Sequence, residues 1–237
     1  NSYAGVISGT GGVTLSSGIA TLAGANSYSG TTVIASGAQL NLSGAGSLAN
    51  SDVTANGFFQ LLNADATVRS LSGGSPMSAT FINGNTLTVT HGGTYAGQLN
   101  GSGTLSLTGG TFVYTGSGGP STIALNGGNF TLGDGGTSGY VSGTPFVLSA
   151  GTLTINHSDN YAVGYTGGAG NFVQAGTGLT QLWHNTWTGT TTAAAGILQL
   201  NYGDAIADTS DLIVLSGATA QLFGGSDPTD ALLSWEP

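Results

Sequence analysis

The sequence predicts an all-β fold: a right-handed parallel β-helix, or β-solenoid, drawn out into an elongated rod. Three observations predict it. Apolar residues alternate with Thr, Ser, Gln and Asn in short runs, which is the period of a strand. Gly makes up 44 of the 237 residues and brackets those runs as G-G, N-G, S-G and A-G pairs, which supply the positive φ of tight turns. A signature near the N-terminus also returns late in the chain. Stacked coils explain such a return and a sandwich does not, because each coil meets similar neighbours.

In chain order, alternating segments lie at 19–23, 38–42, 86–90, 104–108, 129–132, 152–156, 197–201 and 219–223. Alternate Leu, Val, Ile and Phe in these runs are expected to point inward. The whole pattern amounts to about twenty strands at roughly ten-residue spacing. Coils of roughly 20 to 25 residues would number about ten and stack into a rod on the order of 50 Å long. The right hand follows from the handedness of β-crossovers.

The repeat is specific. Asn26-Ser-Tyr-Ser-Gly-Thr-Thr32 returns as Asn185-Thr-Trp-Thr-Gly-Thr-Thr191. Its flanks follow with one-residue slips: Gly18-Ile-Ala-Thr-Leu22 matches Gly178-Leu-Thr-Gln-Leu182. The chain therefore reads as one segment over 1–237, with copies near 5–62 and 164–223 and a diverged middle.

Composition excludes several functions. Lys and Arg together number one, Arg69, against ten Asp and Glu, for a net charge of −9. Phosphate counterions cannot be displaced without cations, so nucleic acid is excluded as a partner. Without Cys there is neither a disulfide framework nor a thiolate metal site. No apolar run is long enough to cross a membrane as a helix, so no membrane insertion by this segment is expected.

The run Gly5-Val-Ile-Ser-Gly-Thr-Gly-Gly-Val-Thr-Leu15, then Gly18 to Val33, then Ser36-Gly-Ala-Gln-Leu-Asn-Leu42, resembles the passenger-associated transport repeat of bacterial autotransporters. The second copy, Gly178 to Leu200, is similar, with Trp187 where the first has Tyr28. The chain departs from the family at Thr14-Leu15-Ser16, where a Lys is common. The resemblance implies a β-helical passenger of type V secretion, extracellular or displayed on the bacterial outer-membrane surface. The role expected is structural or adhesive, as stalk or interaction surface, and not enzymatic, because no paired carboxylate or Ser/His/Asp constellation stands at a familiar spacing. The partner would be a receptor or glycan on a host or neighbouring cell. The rival readings are a filament subunit that self-associates end to end, and a carbohydrate-binding or carbohydrate-active β-helix.

Candidate chemistry is sparse. His91, His157 and His184 lack metal-ligand spacing and are expected in turns facing solvent. Gly133-Asp134-Gly135-Gly136 reads as a turn closed by an Asx-type bond from Asp134. Asp52, Asp65, Asp134 and Asp159 are too dispersed for a carboxylate pair. Asp204, Asp208, Asp211, Asp227, Asp230 and Glu236 read as a solvated acidic face. No catalytic residue, metal ligand or cofactor site is expected. The T-x-T units show no fixed coil period in sequence, which argues against a registered Thr array. The one ligand-binding expectation is a carbohydrate platform at Trp183 and Trp187, with His184 beside them and Tyr202 a coil away. The alignment of Trp187 with Tyr28 weighs against it, because it points to a packing position between coils.

Overall fold

A computed structural model describes residues 1–74 and 77–223. They form 27 strands, and every pairing among them is parallel. No helix occurs among the described residues, so none could span a membrane. The chain is a parallel β-helix of about 12 turns. At the usual inter-strand spacing these stack to roughly 55–60 Å.

One coil shows how sequence becomes geometry. Asn85–Val89, Gly92–Tyr95 and Gln98–Asn100 are three strands separated by short corners, and Gly103–Leu107 begins the next coil. Corners this short need positive φ, which Gly101 supplies at 91°. Leu87 then lies beside Leu105 after a short coil, whereas Ile123 lies beside Phe146 after a longer one. Tight corners shorten most coils below the length expected from sequence. That is why more coils and more strands are present than the alternation suggests.

The rod has three faces. The first carries Ile19–Leu22, Gln39–Leu42, Phe58–Leu61, Ala79–Phe81 and Gln98–Asn100, and later Tyr161–Ala162, Leu179–Trp183, Ile197–Asn201 and Thr219–Phe223. The second carries Asn85–Val89, Gly103–Leu107, Thr122–Asn126 and Phe146–Ala150. The third runs from Val13–Leu15 to Leu212–Val214. Leu48–Ala55 and Ala66–Ser72 pass through a corner: Leu48 pairs with Val68 on the second face, and Val53 with Leu71 on the third. The bridge Gly73–Tyr95 carries the third face onward.

Inward columns form the core. On the third face Tyr95, Tyr114, Leu132 and Ile155 are successive partners, all fully buried. Phe112 and Phe130 stack at 5.9 Å, and Phe130 meets Phe146 edge-on at 5.6 Å. Each such side chain contributes about 1.5–3 kcal/mol of burial. Outward, the third face presents a registered β-branched column: Thr14, Val33 and Thr54, and later Thr94, Val113, Thr131, Thr154, Val173, Thr192 and Ile213. The column mixes Thr with Val and Ile and is not a pure Thr array, but it is in register. Corners of unequal length hide the register in sequence, while the ladder preserves it.

Each repeat copy encloses the same polar relay. The Tyr28 hydroxyl meets Thr32 Oγ1 at 2.6 Å, Thr32 meets Ser51 Oγ at 2.7 Å, and Ser51 donates to the Gly30 carbonyl at 2.7 Å. In the second copy Trp187 Nε1 donates to Thr191 Oγ1 at 2.8 Å. Thr191 meets Ser210 at 3.0 Å, and Ser210 donates to the Gly189 carbonyl at 2.5 Å.

Candidate functional site

The first face is interrupted between Gln98–Asn100 and Tyr161–Ala162, and only the isolated bridge Ser117–Tyr140 lies between its two sheets. Two successive segments, 115–121 and 133–145, form no strand there, and the second also lengthens its coil. Gly133, Gly135, Gly139 and Gly143 all have positive φ there, so the backbone turns repeatedly within a few residues. Asp134 Oδ1 accepts from Gly136 N at 3.1 Å, the Asx turn expected from sequence.

The break opens a cleft of about 550 Å³ on the side of the rod. Tyr140, Tyr161, His157, Asp159, Asn160 and Trp183 are among its lining. Tyr161 is buried and donates its hydroxyl to the Val141 carbonyl at 2.8 Å. Tyr140 lies edge-on against the Tyr161 ring at 6.1 Å and is 56% exposed. Burial pushes the Tyr161 phenol well above its ordinary range. The Val141 bond opposes that shift, and the neighbouring Tyr140 adds to it. The neutral phenol is thus a fixed donor that anchors the aromatic pair.

His157 corrects the expectation of solvent-facing histidines. Only 3% of it is exposed. Its ring packs on Tyr161 at 4.9 Å, and Nδ1 meets Asp159 Oδ1 at 3.0 Å. Nε2 is buried without a hydrogen-bond partner. A Cβ at Gly133 would come within 2.8 Å of the imidazole, so glycine is what lets this ring enter the coil. His91 is exposed, as expected, with Nδ1 at 2.9 Å from Thr90 Oγ1.

The structure divides the predicted carbohydrate platform three ways. Trp187 is fully buried, stacked on Phe172 at 5.0 Å and hydrogen-bonded to Thr191, so it offers no face to a ligand. That corrects the Trp187 half of the expectation: at the position aligned with Tyr28 the side chain points into the coil. Trp183, at the end of the preceding strand, is partly exposed and lines the cleft. His184 and Tyr202, one coil apart, stack at 5.1 Å in solvent, and His184 Nδ1 meets Asp204 Oδ2 at 2.6 Å. Tyr140, Tyr161 and the His157–Asp159 pair belong to no sequence motif, though the lapse of Leu alternation across 133–145 marks their position.

The remaining acids are dispersed. Asp52 pairs with Arg69 at 3.3 Å and accepts from Ser70 at 2.6 Å. Asp204, Asp208 and Asp211 are exposed, as a solvated face requires, while Asp227, Asp230 and Glu236 lie outside the described residues. Among the described residues no three His, Asp or Glu side chains gather as a metal site would need. No protein family, curated protein or solved structure matches the chain.

Proposed function

We propose that the protein is a structural and adhesive rod, a stalk or interaction surface held outside the cell on or near a bacterial outer membrane, and not an enzyme. The third face carries this reading. Parallel strands run along it from Val13–Leu15 to Ala66–Ser72 and from Gly92–Tyr95 to Leu212–Val214, and the Gly73–Tyr95 bridge joins the two runs into one stack. The resemblance to passenger-associated repeats supports the setting. The lone Arg69 supports it too, because it sits within a strand and gives a trypsin-like protease no loop to enter. Small-angle scattering should give the profile of a stiff rod, and beads coated with the protein should adhere to cells. A compact globular profile, or adhesion no greater than that of uncoated beads, would remove the reading. Turnover on a polysaccharide panel that is lost on Asp159→Ala would make the protein an enzyme instead.

The β-branched column of the third face supports a second reading, attachment to a flat, ordered surface such as ice. It requires thermal hysteresis in solution, and freezing at the equilibrium point would sink it.

A further inference from the structure

We propose that the cleft at the break in the first face binds a neutral saccharide, with Trp183 and Tyr140 as its stacking surfaces. The proposal deepens the adhesive reading, on which it rests, by giving it a ligand class and a place. At about 550 Å³ the cleft falls within the usual range for small ligands and suits one or two sugar rings.

The aromatic surfaces are rigid before any ligand arrives. Tyr140 is more than half exposed, yet it is propped on Tyr161, which is itself tied to Val141 and packed on His157. Trp183 ends a strand whose register with Ile197–Asn201 is fixed, Trp183 lying beside Asn201. Such rings cover the C–H face of a sugar with little loss of side-chain freedom on binding.

Around them stand polar groups able to meet hydroxyls. Asp159 gives one carboxylate oxygen to His157 and keeps its side chain half exposed. Asn160 and Ser142 are exposed on the same lining. Together they offer both acceptors and donors, as a polyol needs. Charge narrows the class further. The chain's one Lys or Arg, Arg69, lies in Ala66–Ser72, outside this lining. A uronic, sialylated or sulfated ligand would meet Asp159 with no Lys or Arg to offset it.

Two glycines leave room for the ligand. A Cβ at Gly164 would have its nearest neighbour at 3.8 Å, and one at Gly143 would have none within 4 Å. Gly164 has no positive φ, so a larger side chain there fills the cleft without straining the backbone.

The test is an array of neutral and acidic glycans, followed by calorimetry with the best neutral binder. Trp183→Ala and Gly164→Phe should each weaken binding by roughly tenfold or more, the scale of a lost stacking contact and a blocked cleft. Circular dichroism of Gly164→Phe should match the parent, and His184→Ala, outside the cleft, should bind as the parent does. The proposal is overturned if no neutral saccharide binds, if acidic glycans bind better, or if both cleft variants bind unchanged. Any of these leaves the rod reading standing, because its own test is particle shape and cell adhesion.

Discussion

The two repeat copies build one device from different aromatics. In the first, Tyr28 starts a relay through Thr32 and Ser51 to the Gly30 carbonyl. In the second, Trp187 starts it through Thr191 and Ser210 to the Gly189 carbonyl. The carbonyl at the end of each relay sets the direction of every proton. A carbonyl can only accept, so Ser51 and Ser210 must donate to it. Each Thr must then donate to its Ser, and the aromatic must donate to the Thr. A phenol can satisfy that demand, and an indole N–H can do nothing else. What the position requires is a large buried ring with a donor at its tip, and that explains why Tyr and Trp exchange there.

The largest effect, common to both copies, should come at high pH. Burial raises the phenols of Tyr28, Tyr95, Tyr114 and Tyr161, against the partial pull of their hydrogen bonds. A folded-state pKa above the unfolded value of 10.0 gives stability that is complete below that pH and lost as pH rises toward the folded value. Above about pH 10 the β signal should collapse together with the appearance of phenolate absorbance. Trp187, which has no phenol, should report the same collapse by fluorescence. Phenolate forming while Trp187 stays native would show that the tyrosines ionise without opening the fold.

Removing the ring of the second copy comes next in size. Trp187→Ala should cost about 3–5 kcal/mol in urea unfolding, since the ring is wholly buried against Phe172. A cost below about 1 kcal/mol would mean that the coil collapses around the gap.

The relays themselves should be equivalent. Thr32→Val and Thr191→Val keep the shape, but each strands the aromatic donor on one side and leaves the Ser oxygen short of a bond on the other. Each should cost about 1–3 kcal/mol in the same unfolding measurement. The proton order is wrong if Tyr28→Phe, which keeps the ring and only leaves Thr32 short of an incoming bond, proves worse than Thr32→Val. The smallest effect belongs to Arg69→Gln. Its pairing with Asp52 is nearly half exposed on both sides and should contribute less than about 1 kcal/mol. A larger loss in thermal melts would give that pair a structural role.

Much of the fold is legible in the sequence. The alternation in 86–90 and 104–108 is the alternation of two registered strands. The match of Tyr28 with Trp187 points to a packing position, and the relay supplies its reason. The cleft is less legible. Trp183 stands out in the sequence, but its neighbours there are not its neighbours in space: Trp187 points to the core and His184 to open solvent. Tyr140, His157 and Tyr161 are brought to Trp183 by stacking, from other coils of the rod. No local pattern encodes such a meeting.

The class of fold, the parallel stacking and the chemistry of the corners follow from the chain alone, because period, Gly placement and repetition are local properties. The register, and everything that depends on it, exists only once the coils are assembled. Coils of unequal length still stack rung on rung, because corners absorb the difference while ladder hydrogen bonds hold the strands level. That levelling aligns the Thr and Val column that spacing hides. Where the chain forms no strand, at 115–121 and 133–145, the first face parts and its side chains meet across the opening.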